Sequence, residues 1–119
     1  MLVLNTVDKG RLGEEQAAEH LRSIGYIIVE KNFRTRWGEV DIISTRENVI
    51  AFIEVKTWRG IDPLELHRVF TTAKRRRMTL CAQMFMDRHK EFSGYMIRFD
   101  LMYLRPDGSL VGFYENVLT

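Results

Sequence analysis

The sequence predicts an α/β sandwich built around a mixed sheet. Three observations predict it: an amphipathic helical stripe near the start, two β-hairpins, and a long helical region between those hairpins. The stripe comes first in the chain. Glu14, Ala17, Ala18, Leu21 and Ile24 recur at the i, i+3, i+4, i+7 spacing of one helix face. They predict a helix from about Arg11 to Ser23, stopped by Gly25. Glu14 falls on the inward face, whereas Glu15, Glu19 and Arg22 fall on the opposite one.

Tyr26 to Glu30 is β-rich, and Lys31 to Trp37 reads as a loop or irregular strand punctuated by Gly38. Glu39 to Ser44 and Val49 to Lys56 read as two strands of a hairpin, with Thr45-Arg46-Glu47-Asn48 as the polar turn. The helical region opens at Asp62-Pro63-Leu64-Glu65, an N-cap pattern with proline at the first position. Leu66, Val69, Phe70 and Ala73 suggest one buried stripe, and Leu80, Cys81, Met84 and Phe85 a second. Thr71-Thr72 could cap a fresh helix, so one helix or two fit the pattern. Tyr95 to Leu104 and Leu110 to Tyr114 form the last hairpin, around Arg105-Pro106-Asp107-Gly108-Ser109. The order is α-β-β-β-α-β-β in a single domain spanning residues 1–119, since no repeat, linker or low-complexity tract divides the chain.

The 45% hydrophobic and 29% charged content is that of an ordinary globular chain. No stretch approaches the roughly 20 apolar residues of a membrane span, so no membrane partner is expected. Residues Met1 to Gly10 do not read as a signal peptide. Cys81 is the single cysteine, which rules out an intrachain disulfide and fits a cytoplasmic location. The net charge of +2 is too small to argue for nucleic acid by itself. Local cations say more: Lys74 to Arg77 form a run, and Lys31, Arg34, Arg36 and Arg46 gather around an acidic motif.

That motif is Asp41 followed by Glu54-Val55-Lys56. Side chains alternate along a strand, so Glu54 and Lys56 share a face. If Ser44 pairs with Val49, Asp41 lies opposite Phe52 and Glu39 opposite Glu54, and all four project from one side; an odd loop or a bulge would split them. Carboxylates among Val40, Ile42, Ile43, Ile53 and Val55 repel one another and lose solvation. Protonation, a cationic partner or a bound metal would relieve them, and oxygen donors suit Mg²⁺ or Mn²⁺. Asp41 and Glu54 would ligate the ion, with the Val55 carbonyl as a third donor and Glu14 in reach. Lys56 would orient or deprotonate a water, or stabilise negative charge on a phosphoryl group.

Gly13-Glu14, Gly38-Glu39-Val40-Asp41 and Phe52-Ile53-Glu54-Val55-Lys56-Thr57, in this order and spacing, resemble the PD-(D/E)XK nuclease superfamily. More closely, the chain resembles the small bacterial YraN-like family, which is similar to archaeal Holliday-junction resolvases. The match extends through Gly25-Tyr26, Asn32-Phe33-Arg34, Asp62 to Glu65, Lys74 and Arg98-Phe99-Asp100. The resemblance implies a restriction endonuclease-like three-layer sandwich. It also implies a Glu14, Asp41, Glu54, Lys56 active-site quartet and metal-dependent phosphodiester hydrolysis of structured or branched DNA rather than RNA. A homodimer follows from the resolvase likeness alone. Two departures stand out: Val40 occupies the proline position of the superfamily pattern, and Trp58 stands where a basic residue is expected. The alternative is a nucleic-acid-binding or assembly protein that keeps the fold without cleavage.

Other residues have weaker readings. Lys74, Arg34 and Arg36 are candidate phosphate contacts. Glu39 reads equally as a solvated strand-end acid or a site member. Asp100, inside an apolar strand, is expected to pair with a basic side chain. His20, His67 and His89 lack metal-ligand spacing. Trp37 and Trp58 could stack on bases, with ordinary packing as the default.

Overall fold

The computed structural model describes residues 6–58, 60 and 71–118. The expected cap at Asp62 to Glu65, the stripe residues Leu66, Val69 and Phe70, and His67 lie outside the described residues. The elements are α1 (Thr6–Ser23), β1 (Ile27–Thr35), β2 (Gly38–Arg46), β3 (Val49–Thr57), α2 (Thr72–Arg88), a 3-10 turn (Lys90–Phe92), β4 (Met96–Leu104) and β5 (Leu110–Tyr114). The expected order is the observed one. Helix α1 begins some five residues earlier than the stripe suggested, at Thr6 instead of about Arg11.

Periodicity accounts for what α1 buries. Ala17, Ala18 and Leu21 are fully buried, and Ile24, just past the helix end, is exposed. Gly25 closes the helix with φ 94°. Its N–H donates to the Arg22 carbonyl at 3.1 Å, and the Tyr26 N–H donates to the Leu21 carbonyl at 3.0 Å. This is a Schellman cap, and the buried pair Leu21 and Tyr26 supplies its apolar contact. Helix α2 starts on its own cap: the Thr71 hydroxyl accepts from the Lys74 N–H at 3.2 Å. A fresh helix beginning at Thr71-Thr72 is therefore the correct choice of the two. Its buried residues are Met78, Cys81, Ala82 and Phe85; Leu80 and Met84 of the expected stripe are only half-buried.

The five strands form one sheet in sequence order, β1-β2-β3-β4-β5. All neighbours are antiparallel except β3 and β4, which run parallel and carry α2 in the connection between them. Helix α1 packs on one face against Ile42, Ala51, Ile53, Met102 and Leu104. Helix α2 covers the other through Phe33, Val40, Ile43, Ile50 and Phe52. Phe85 anchors that second layer with edge-on contacts to Phe33 and Phe52, at centroid distances of 5.3 and 5.8 Å. The result is the three-layer α/β/α sandwich with a mixed sheet, as in restriction endonuclease-like folds. Among the described residues, no helix is long and apolar enough to cross a membrane.

The β2–β3 hairpin differs from the expected register. Arg46 pairs with Val49 and Ser44 with Ala51, so the turn is only Glu47-Asn48. Thr45 and Arg46 belong to the strand because Arg46 lends its guanidinium to the Ile24 carbonyl and to the Tyr26 ring face. The loop remains even, so face parity is kept, but every pairing shifts by two. The ladder ends at Ile42 and Ile53. Continued in register, it would set Asp41 against Glu54, in place of Phe52.

Candidate functional site

The site lies where that ladder stops. In place of a further backbone pairing, the Val55 N–H donates to Asp41 Oδ2 at 2.8 Å. A side chain thus takes over a main-chain donor, and β2 and β3 separate beyond it.

Alternation along β2 breaks at the same point. Ile42 packs on the α1 face, yet Val40 and Ile43 both pack on the α2 face. Strand β1 shows the matching change. Lys31 reaches Glu15 of α1, whereas Phe33 packs against Phe85 of α2. Between them Asn32 has φ 57°, a left-handed conformation that asparagine tolerates. Uniform alternation, with Glu39, Asp41, Glu54 and Lys56 on one face, is therefore not what assembles the site. The inversion at Asn32 and Asp41 brings the residues together at the end of the sheet. There, Glu14 from α1 and Lys74 from α2 can both reach in.

Carboxylate oxygens of Glu14, Glu39 and Asp41 all lie within 4.8 Å of one another. Glu54 adjoins them, only 8% exposed, and its charge acts on Asp41. Two adjoining clefts share Glu39, Asp41 and Glu54. One extends toward Gly38, Lys74, Arg77 and Met78, and the other toward Gly13, Glu14, Val55, Lys56 and Thr57. If both members were ionised, each like-charged pair at such distances would cost roughly 3.5–4 kcal/mol at an effective dielectric near 20. The electrostatics carry this cost. Burial, then the charge of Glu54, pushes the Asp41 carboxyl up to about 7, against the pull of the Val55 amide. Burial also raises Glu14, opposed by a hydrogen bond from Asn32 and reinforced by Glu39. Burial pulls the Lys56 ammonium down, but attraction and a hydrogen bond to Glu54 outweigh it, so its net shift is upward.

The cations sit differently from expectation. Lys74 Nζ is 2.8 Å and Lys56 Nζ 3.3 Å from the same oxygen, Glu54 Oε1. Arg34, opposite Glu39 in the β1–β2 ladder, holds that acid at 2.9 Å. Arg36 lies over the Trp37 ring at 4.5 Å. Of the three candidate phosphate contacts, then, two already engage acids of the site and the third stacks on an indole.

The structure brings together Glu14, Asp41, Glu54, Lys56 and Lys74, and it adds two residues. Glu39, undecided in the sequence, joins the cluster. Asn32, part of the matched Asn32-Phe33-Arg34 segment, proves to be a hydrogen-bond partner of Glu14. Its position next to an apolar strand residue gave no chemical signal. Asp100 is elsewhere: it is fully buried and bonded to Arg98. Glu15 points outward, paired with Lys31 and Arg22. Trp58 packs beside Met78, Leu101 and Tyr103. His89 stacks on Phe85 at 3.9 Å, and His20 meets the Gly108 carbonyl, so both histidines have packing roles.

A mixed five-stranded sheet between two helices, with acids of α1, β2 and β3 and a β3 lysine converging at a splayed strand end, defines a protein of the PD-(D/E)XK-like class. The model of the uncharacterised protein family UPF0102 matches residues 13–104, and the chain belongs to that family. It is 39% identical over 99 residues to a UPF0102 protein of Caldicellulosiruptor saccharolyticus, covering 83% of each chain. A Treponema pallidum member is 37% identical over 98 residues, covering 82% of this chain and 78% of its own. A Dictyoglomus turgidum member is 33% identical over 115 residues, covering 92% and 94%. The matched span contains Glu14, Glu39, Asp41, Glu54, Lys56 and Lys74.

Proposed function

We propose that this protein is a metal-dependent endonuclease acting on nucleic acid, on structured or branched DNA above all. The observation that carries the reading is the convergence of carboxyl groups around Asp41 at the splayed end of β2 and β3. Glu14, Glu39, Asp41 and Glu54 meet there, and the Asp41 pKa stands near 7. A structural ion-pair network would balance its charges. Here, among the described residues, Asp41 makes no ion pair with a cationic side chain and accepts from a backbone amide.

The donor set fits a divalent ion. All donors are hard oxygens, as Mg²⁺ and Mn²⁺ prefer, and three of them already converge. Asp41, Glu54 and Glu14 would hold the ion, with Glu39 as an added neighbour. Bound there, such an ion would acidify a water and polarise a phosphoryl oxygen. The chain's own residues do the rest. The separation of β2 from β3 opens the cleft in which a phosphodiester would lie. Lys56, 3.3 Å from Glu54, would stabilise negative charge developing on the phosphoryl oxygens or orient the attacking water. Arg34 and Arg36, on the β1–β2 hairpin beside the cleft, would contact backbone phosphates. Two copies of the chain would be needed to cut both strands of a junction.

The test is cleavage of four-way junction, flap, single-stranded and duplex DNA with Mg²⁺ or Mn²⁺. Junction or flap cutting that falls by about 100-fold or more in Glu54→Ala supports the reading. Activity on none of these substrates, or activity that survives Glu54→Ala, overturns it. Salt-dependent binding without cutting would favour the non-catalytic alternative.

A further inference from the structure

We propose that Lys74 is a built-in counter-cation of the candidate metal site, holding Glu54 in place before a divalent ion binds and competing with that ion for its carboxylate. The proposal rests on the metal-site reading above and adds to it a residue that sequence had marked as a phosphate contact.

The geometry supports a different role for Lys74. Its Nζ makes the shorter of the two lysine contacts to Glu54 Oε1, 2.8 Å against 3.3 Å for Lys56. It is also the better buried, with 23% of its side chain exposed against 42%. Lys56 comes from the same strand as Glu54, so its pairing is a local consequence of alternation. Lys74 comes from the other layer. The Thr71 cap fixes the first turn of α2, and from that turn Lys74 reaches down into the cleft lined by Glu39, Asp41 and Glu54. A charge-assisted hydrogen bond between a helix and a nearly buried strand carboxylate fixes the orientation of that carboxylate.

Charge counting shows why a cation belongs here. Glu14, Glu39, Asp41 and Glu54 would bring four negative charges if all were ionised. Arg34 offsets Glu39, and Lys56 and Lys74 meet at Glu54. Without Lys74 the same acids would face one another with a single lysine among them. A divalent ion on Glu54 would bring two positive charges beside an ammonium already in contact, and like charges at that range repel strongly. The lysine stem is long and flexible, so Lys74 can withdraw while its backbone stays in α2. The ammonium leaves Glu54 at the cleft where a phosphate would lie. Ion binding and release of the Lys74 ammonium from Glu54 are thereby coupled.

The experiment is Mn²⁺ titration by calorimetry on the whole 119-residue chain, without nucleic acid, at pH 8 and about 0.15 M salt. Lys74→Gln is expected to bind Mn²⁺ about tenfold or more tightly than the natural protein, because the competing cation is gone. Arg77→Gln removes the same charge from the same cleft wall and is expected to change affinity by less than about threefold. Circular dichroism establishes that each variant is folded, and Lys74→Met, which keeps the aliphatic stem, replaces Lys74→Gln if it is not. Unchanged or weaker Mn²⁺ binding on loss of the lysine overturns the proposal, as does equal tightening in Arg77→Gln. If the natural protein binds Mn²⁺ and only the Lys74 effect is missing, the metal-site reading survives. No Mn²⁺ binding by any of the proteins overturns both.

Discussion

Asp100 and Asp41 are both aspartates on interior strands of one sheet, and the protein treats them in opposite ways. Asp100 has no exposed surface at all. Arg98 Nε donates to both of its oxygens, at 2.9 and 3.0 Å, and a terminal guanidinium nitrogen adds a third bond at 2.8 Å. The Asn116 N–H supplies a fourth, at 2.9 Å. Arg98 in turn donates to the Tyr26 hydroxyl and lies 3.5 Å from Glu115. Burial raises the Asp100 carboxyl, and the Arg98 and Asn116 bonds oppose that shift without cancelling it, yet each oxygen is met by donors and a guanidinium lies against the charge. Asp41 receives a single backbone bond and faces three other acids. The first arrangement is saturated and balanced, which is how a buried charge serves the fold. The second is left short of positive charge, which is how a site is prepared for a cation from outside.

The largest expected effect comes from breaking the saturated side. Arg98→Met leaves Asp100 buried without its partner and should cost about 3–5 kcal/mol in urea denaturation. A loss under about 1 kcal/mol would end the contrast.

The next effect has a different sign. The Asp41 pKa is raised from 3.8 to about 7 in the folded chain, so between those values the native state holds a proton that the unfolded state has released. Its stabilising contribution is therefore complete below about pH 4 and is lost as pH rises through about 7. Metal-free Asp41→Asn should lack this loss and gain on the order of 1–3 kcal/mol relative to the natural chain between pH 4.5 and 7.5. Denaturation curves across that range check it. Parallel curves for the two proteins would mean that Asp41 is not under charge stress.

Adding the missing cation should sharpen the difference further. Millimolar Mn²⁺ should raise the melting temperature of the natural protein by a few degrees, more at pH 8 than at pH 5.5. Arg98→Met should keep that increment and Asp41→Asn should lose it; thermal melts with and without EDTA read both. The smallest effect belongs to Glu15→Gln. Glu15 is next to Glu14 in sequence but exposed and paired on the surface, so neither the melting temperature nor the Mn²⁺ increment should move measurably.

Much of this contrast was legible beforehand. Helix periodicity separated Glu14 from Glu15, and the apolar neighbours of Asp100 pointed to a structural pairing. Arg98, two residues earlier, is on the same face by simple alternation. Family resemblance carried the ordered set Glu14, Asp41, Glu54, Lys56. Register was harder to read. A polar tetrapeptide looks like a four-residue turn, yet Arg46 has tertiary partners in Ile24 and Tyr26 that keep it and Thr45 in the strand. Alternation placed Glu39 on the site face, but a solvated strand-end acid read equally well, and the inversion of β2 at Asp41 has no local signature.

By itself, then, the sequence determined the order of elements, the opposite faces of Glu14 and Glu15 on α1 and the stop at Gly25, and it offered Thr71 as a cap and Glu14, Asp41 and Glu54 as the candidate acids. These depend on near neighbours along the chain, where periodicity and capping chemistry act. Only the tertiary structure decided that β1 and β2 change face together at Asn32 and Asp41, that Asp41 takes the Val55 amide, and that Lys74 reaches Glu54 from the opposite layer. Those facts are distances between segments far apart in the chain. The energy of an ion pair or a desolvated carboxylate depends on those distances and on burial, and neither is written in any local pattern of residues.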